Sequence, residues 1–456
     1  MDRSWSRVTA LRRRALAYRY DFSPDANDQI IAEIYKQLRD HLEDPDANRR
    51  GLARTTAHYR AQLKLRPAWS KWIFEILAIP ILPVFLAWAL TRGLLKARPV
   101  PRATGGVRLV FPERFKVNPE IFSIPEDLEN EGVETRALKP GFLFGRDLRC
   151  LFKLLSKAIQ LGTPFPLQLT LKCAVDLSHV RGALDGLAPK WIAVYWEFSC
   201  AVSLIAAALK MDGIATYNVM HGDKNFFAKN AFFEVARCYC WHRYYVDLFK
   251  REYVHSDFKI FQNPAFRLGP ADPAPYSNDA SANVGLIAPA LVTLSDNPQE
   301  AARIMETLAA ACNTISINYN LSVRPHPIYR EDFRGLRPHL NHQVQTAASE
   351  QETPRAFILR HAVLVGTSST MLLEAAHLDR KVIFLKTPVT EDMESGHYIF
   401  SWPNVHKCEV KDLAGTVALA LLSPPMPLQF QQTRKADTDL NSFGVERTFT
   451  HLSQSM

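Results

Sequence analysis

Residues 362–385, AVLVGTSSTMLLEAAHLDRKVIFL, run through an apolar strand, a tight turn, an apolar helix and a second apolar strand within 24 residues. So compact a crossover makes the two strands parallel, and a parallel sheet has to be covered by helices on both faces. The pattern recurs upstream. KWIAVYWEF (190–198) is a strand, SCAVSLIAAALKMDG (199–213) a helix stopped at Gly213, and IATYNVM (214–220) a second strand. These two units fix the fold class as α/β.

Other segments extend both units. VRLVFP (107–112) reads as a strand, and RDLRCLFKLLSKAIQLG (146–162) as a helix ending at Gly162. Residues 233–269 hold another strand and helix with a shorter strand, FKIFQNP. NVGLIAPA (283–290), the helix of 297–316 with a proline just inside its start, and NYNLSVRPHP continue the second unit. PADPAPYSNDASA (270–282) divides the two, because its Pro, Ala, Asp and Ser content suits a linker. The sequence therefore predicts two Rossmann-like domains facing across a cleft. The expected boundaries are 105–275 for an acceptor domain, 282–430 for a donor domain, and 431–456 for a C-terminal helix or tail. Residues from 400 onward read as helical.

Residues 1–104 differ in character: helical, basic and apolar by turns. DANDQIIAEIYKQLRDHLED spaces Ile30, Ile31, Ile34, Leu38 and Leu42 as one helix face, with Asp25, Asn27 or Asp28 available as a cap. In WSKWIFEILAIPILPVFLAWALTRGLLK (69–96), the 20 residues between Lys71 and Arg92 contain one charge, Glu75. That length reaches across a bilayer, and Trp69, Trp72 and Trp88 sit near the ends, where interfacial aromatics belong. Pro80 and Pro83 oppose a straight span. The expectation is a membrane-associating segment, peripheral or monotopic, against the alternatives of a single span and a buried helix.

The net charge of +9 calls for an anionic partner. The excess is concentrated early, in RVTALRRRALAYRYD and RRGLARTTAHYRAQLKLR, and no nucleic-acid-reading motif accompanies it. The odd set of seven cysteines, with no CxxC pair, suits reduced thiols of a cytoplasmic protein.

Polar motifs collect at the strand exits, where open parallel sheets bind ligands. After Val363–Val365 come Gly366 and four hydroxyls, Thr367, Ser368, Ser369 and Thr370, at the start of a helix. One hydroxyl suffices as an N-cap; the four together, with the helix N–H groups and dipole, suit a phosphate. Glu374, one turn on, suits a ribose, with a plain surface glutamate as the alternative. RPHP places Arg324 and a proline-bracketed His326 at a neighbouring exit. A chance histidine in a stiff loop is the bland reading. At the matching place in the first unit, MHGDK gives His221 as a candidate general base, with Gly222 and Lys224 on the acceptor side. Glu391, Asp392, Glu394 and His397 match no metal signature, and read as a loop near the cleft.

The HG turn, RPHP and GTSSTMLLEAAHLDRKVIF together resemble GT-B-fold glycosyltransferases of bacterial surface polysaccharides. The patterns are similar to those of teichoic-acid glycerophosphate polymerases and of capsule sialyl- or Kdo-transferases. Met220 and Asp223 stand where the teichoic-type turn has Trp and Thr, and LDG (184–186) has one acid where sialyltransferases have two. The resemblance implies an inverting, metal-independent transferase without cofactor. It would move a sugar or polyol phosphate from a CMP-, CDP- or UDP-linked donor to a lipid-linked or polysaccharide acceptor, at the cytoplasmic face of the inner membrane. Arg324, His326, Ser368, Ser369 and Thr370 would hold donor phosphate, Glu374 ribose, and His221 would be the base. A nucleotide-sugar epimerase and a non-catalytic polysaccharide-assembly component are the alternatives.

Overall fold

The computed structural model describes residues 24–66, 68–96, 105–111, 123–224, 227–266, 283–288, 298–325, 339–340, 344–346, 352–367, 369–386 and 397–423. His326, Ser368 and Glu391–Glu394 lie outside the described residues, as do the 270–282 linker and the tail beyond 423.

Three helices come first: α1 (Pro24–Leu42), α2 (Ala47–Lys64) and α3 (Ala68–Leu94). The next described segment is a six-stranded parallel sheet made of β1 (Gly106–Val110), β2 (Val133–Ala137), β3 (Trp191–Val194), β4 (Ala215–Val219), β5 (Glu234–Cys240) and β6 (His255–Ile260). Its edge-to-edge order is β2-β1-β3-β4-β5-β6. The helices α4 (Glu126–Glu129), α5 (Gly145–Gln160), α6 (Pro166–Ala183), α7 (Val202–Lys210) and α8 (Arg243–Arg251) connect its strands. The predicted stops hold for a stated reason: Gly162 and Gly213 take φ of 61° and 75°, the left-handed region that ends a helix without a Cβ penalty.

The second sheet, also parallel, comprises β7 (Asn283–Ala288), β8 (Asn320–Pro325), β9 (Gln345–Thr346), β10 (Val363–Gly366), β11 (Lys381–Leu385) and β12 (Val405–Cys408). Its order is β12-β11-β10-β7-β8-β9. Counted from β7 as first, that is the 3-2-1-4-5-6 order of a dinucleotide-binding sheet, with its switch point between β7 and β10. Its helices are α9 (Pro298–Ser316), α10 (Pro354–Leu359), α11 (Thr370–His377) and α12 (Leu413–Leu422). The two Rossmann-like units expected from the sequence are therefore present. β12 is a correction, since that stretch reads as helical in the sequence. Only four residues long, it gains its pairing from β11, a non-local interaction that local pattern does not carry.

The N-terminal helices are built into the first unit. Tyr59 and Leu63 of α2 belong to the same apolar core as β1, β3 and β4. Ile31, Ile34, Leu38 and Leu42 of α1 close on Ala228 and Phe232. Asn27, a candidate cap in the sequence, is instead fully buried, and its Oδ1 accepts the N–H of Ala228 at 2.8 Å. Helix α3 runs unbroken through Pro80 and Pro83. All seven cysteines are free thiols, six of them buried.

Candidate functional site

The turn after β4 and the segment after β3 meet because their strands are in register. Val194 pairs with Asn218, and Glu197 and His221 each stand three residues beyond those positions. Asn218 is buried, and its Oδ1 accepts the N–H of Trp196 at 2.9 Å, which ties the two exits together. Glu197 is fully buried. One of its carboxylate oxygens lies 3.2 Å from His221 Nδ1 and 2.6 Å from Lys224 Nζ. Burial opposes ionisation of this carboxyl, but the charges of Lys224 and His221 outweigh it and hold the pKa well below the usual carboxylate range. The imidazole stands edge-on to Tyr195 and Phe198, with ring centroids at 5.9 and 6.1 Å. A carboxylate 3.2 Å from Nδ1 favours a proton on that nitrogen electrostatically and leaves Nε2 as the basic nitrogen, the arrangement a general base needs.

Sequence reasoning missed Glu197. It sits in WEFS, three residues past an apolar strand, and an acid at a parallel-strand exit was the available signal. Lys224, read as an acceptor-side cation, is buried and committed to Glu197.

The second unit brings its exits to the same level. Ile287 of β7 lies beside Arg324 on β8 and beside Gly366 on β10, so both flank the switch point. A Cβ on Gly366 would fall 3.0 Å from the Ile287 carbonyl oxygen and 3.1 Å from Leu372. Close packing, not a left-handed turn, is what demands glycine there. Arg324 is buried, its guanidinium 5.7 Å from the Phe357 ring centroid, and its Nη1 has no hydrogen-bond partner among the described residues. Burial lowers its pKa, partly offset by Glu352 and Glu374. Glu374 is buried, not the surface glutamate of the alternative reading.

The four hydroxyls divide. Ser369 caps α11, its hydroxyl accepting the Met371 N–H at 3.3 Å, so it fills the ordinary N-cap role. Thr370 Oγ1 accepts the backbone N–H of Asp223 from the other unit at 3.1 Å. Thr367 is buried, and its hydroxyl has no partner among the described residues. A Cβ on Gly222 would sit 3.5 Å from Thr370 Oγ1. The turn that bears His221 thus lies directly against the start of α11.

Asp223 anchors this junction. Its Oδ1 accepts from Tyr245 Oη at 2.6 Å and from His397 Nε2 at 3.0 Å. Burial raises its pKa less than His397 and these hydrogen bonds lower it. Around it the units stack through rings: Phe266 on His377 at 4.2 Å and His242 on Tyr398 at 4.0 Å. His397 is therefore a bridge between the units, with its Nδ1 accepting from the Ile399 N–H at 3.4 Å.

No family model and no curated protein matches the chain. Among solved structures it is similar to the UDP-GlcNAc 2-epimerase of Methanocaldococcus jannaschii in complex with UDP-GlcNAc and UDP, at 13% identity and a TM-score of 0.45, covering 75% of this chain and 99% of that one. It is similar also to MurG of Acinetobacter baumannii, at 9% identity and a TM-score of 0.37, over 75% and 99%. The third is the glycosyltransferase VinC in complex with dTDP, at 10% identity and a TM-score of 0.36, over 74% and 95%. At these scores the likenesses carry nothing about family or activity.

Proposed function

We propose that the chain is an inverting glycosyltransferase that moves a sugar, or a polyol phosphate, from a nucleotide donor to a lipid-linked or polysaccharide acceptor. The observation that carries this reading is the placement of His221, backed by the buried Glu197 at 3.2 Å, on a turn whose Asp223 is bonded to the first residue of α11. A base in one unit then faces a phosphate-binding helix start in the other.

His221 Nε2 takes the acceptor hydroxyl proton as that oxygen attacks the sugar carbon from the face opposite the leaving group. The bond from that carbon to the phosphate oxygen breaks, and the nucleotide departs with the electron pair. The charge that develops is met by the N–H groups and dipole at the start of α11, by the Thr370 and Thr367 hydroxyls, and by Arg324, whose buried Nη1 lacks a protein partner among the described residues. Preorganised donors of this kind contribute most in a site sheltered from water, which suits a buried guanidinium. His326 and Ser368 are retained as donor-side residues from the sequence pattern, and Glu374 as the ribose residue.

The test is a panel of CMP-, CDP- and UDP-linked donors with and without a polyprenyl-phosphate-linked acceptor. Nucleotide release that requires acceptor supports the transferase. Interconversion of the donor sugar without acceptor supports the epimerase, and nucleotide binding with no turnover supports the assembly component.

A further inference from the structure

Helix α3 is long and apolar enough to cross a bilayer: 27 residues, about 40 Å at 1.5 Å per residue. The fold prevents it from crossing. The helix before it and the elements after it belong to one packed body. Tyr59 of α2 donates its hydroxyl to Gln168 Oε1 at 2.6 Å and lies 3.1 Å from the Phe165 carbonyl, both beyond α3 in the chain. At the far end the Leu143 N–H donates to the Ala89 carbonyl at 3.0 Å, and Lys96 pairs with Asp185 at 2.5 Å. A spanning helix would put α2 and α6 on opposite sides of the membrane.

One face of α3 is fastened along its length. Ser70, Ala78, Leu82, Ala89 and Gly93 form the buried stripe, and a Cβ on Gly93 would fall 2.1 Å from the Leu143 carbonyl oxygen. The single charge of the run is turned inward on the same body: Glu75 accepts the N–H groups of Leu167 and Gln168 at 3.1 and 2.7 Å, capping α6, whose own N-cap residue is Phe165. The outer face carries Trp72, Ile76, Ile79 and Val84 at 59–70% exposure, with Trp69 and Trp88 near its ends. Cations surround it. Arg92 lies over the Trp88 ring at 4.9 Å, and at the other end Arg60 and Lys71 line a cavity of about 300 Å³ together with Lys64, which is paired with Glu33 at 3.1 Å, so the cations there outnumber the acid.

We infer that α3 lies in the plane of the membrane, its Ile76–Val84 face sunk into one leaflet, with Glu75 pinning it to the body and the flanking cations on anionic headgroups. The occupant is a lipid bilayer. An aromatic-ended apolar face rimmed by cations matches the interfacial layer of an anionic leaflet in both polarity and charge. The inference does not rest on the transferase reading.

The full chain is mixed with vesicles of phosphatidylcholine alone or with phosphatidylglycerol, and flotation is measured beside that of Ile76→Glu/Ile79→Glu. Both positions are solvent-facing, so circular dichroism should match for the two proteins. Expected are flotation with the anionic vesicles, partitioning weakened about tenfold or more in the variant, stronger tryptophan quenching by bromine near the headgroup than near the acyl end, and cleavage by external trypsin at sites on both sides of α3. Protection from external trypsin of every site on one side of α3, with cleavage on the other, would make α3 a span and overturn the inference. So would a chain that does not float but forms dimers lost in the variant, since a second copy would then cover the face. A monomer that ignores both vesicles overturns it equally.

Discussion

Asp223 donates its backbone N–H to the Thr370 hydroxyl over 3.1 Å, so one hydrogen bond joins the turn that carries His221 to the first residue of α11. The contact couples the two halves of the candidate site. Anything that draws the start of α11 toward an anion is felt at His221, because only Gly222 separates it from Asp223.

Thr370→Val tests the donor half. It removes an acceptor for Asp223 and a donor for phosphate while keeping the shape. Nucleotide affinity should fall about 5- to 30-fold, the equivalent of roughly 1–2 kcal/mol for a hydrogen bond near charge. Calorimetry with CMP, CDP and UDP checks it; unchanged affinity for all three removes α11 from the donor site.

Glu197→Gln tests the base. The amide cannot stabilise an imidazolium, so turnover should drop on the order of 10²-fold or more, as expected for a compromised general base. Nucleotide affinity should change little, since in the proposed reaction the pair serves the acceptor and not the nucleotide. The variant also leaves Lys224 buried without its counter-charge, at a cost of about 3 kcal/mol or more. Activity is therefore compared with that of His221→Asn, which leaves the Glu197–Lys224 pair intact and should be as inactive. A fully active His221→Asn would end the base assignment.

Much of this was legible from local pattern. The strand–turn–helix–strand runs fix parallel sheets because period, length and glycine stops are local signals, and His221, Arg324 and Thr370 fall at exits for the same reason. Glu197 was not legible. Its significance comes from the β3–β4 register, which places it beside His221 across 24 residues of chain. The role of Asp223 as a junction between units depends on Tyr245 and His397, the latter from the other end of the chain. Asn27 and Glu75 read as a cap and a lone charge, but each serves a distant backbone N–H. Tertiary partners of polar residues are what one sequence withholds.

Ser369→Ala separates capping from binding. Its hydroxyl is already used by the Met371 N–H. The substitution should cost about 1 kcal/mol of stability with nucleotide affinity nearly unchanged. Chemical denaturation beside calorimetry checks both, and a large affinity loss with no stability loss would return Ser369 to the phosphate site.

Acid should destabilise the protein well above the carboxylate range. His58 is fully buried between the Lys229 carbonyl at 2.7 Å and Gln62 at 2.9 Å, and burial lowers its pKa to about 3. Burial likewise lowers His361 to about 4. Both folded values lie below the ordinary 6.5, so the unfolded chain binds the proton first. Their contribution is complete above pH 6.5 and is lost as pH falls, at up to about 1.4 kcal/mol per pH unit for each histidine. Urea midpoints from pH 7 down to 5 check it. His58→Gln should flatten part of the slope, and an unchanged slope would mean that His58 does not contribute.

Glu252 should act in the opposite sense. It is fully buried; one carboxylate oxygen accepts the Phe227 N–H at 2.8 Å, while the other has no partner among the described residues. Burial raises its pKa well above the ordinary carboxyl value, against the opposing pull of that N–H, Lys224 and Arg251. The folded chain therefore keeps a proton that the unfolded chain gives up above pH 4.5. Stability from this group is present below that value and is lost as pH rises, by about 1.4 kcal/mol per pH unit until the folded carboxyl itself ionises. Glu252→Gln keeps an acceptor for Phe227 and removes the titration. The variant should match the parent near pH 4.5 and exceed its stability by at least about 1 kcal/mol at pH 8. Paired urea denaturations at the two pH values read this difference directly, with the histidine effects cancelling between the proteins. A variant less stable than the parent at pH 8 would show instead that Glu252 is ionised in the fold, with Lys224 as its partner.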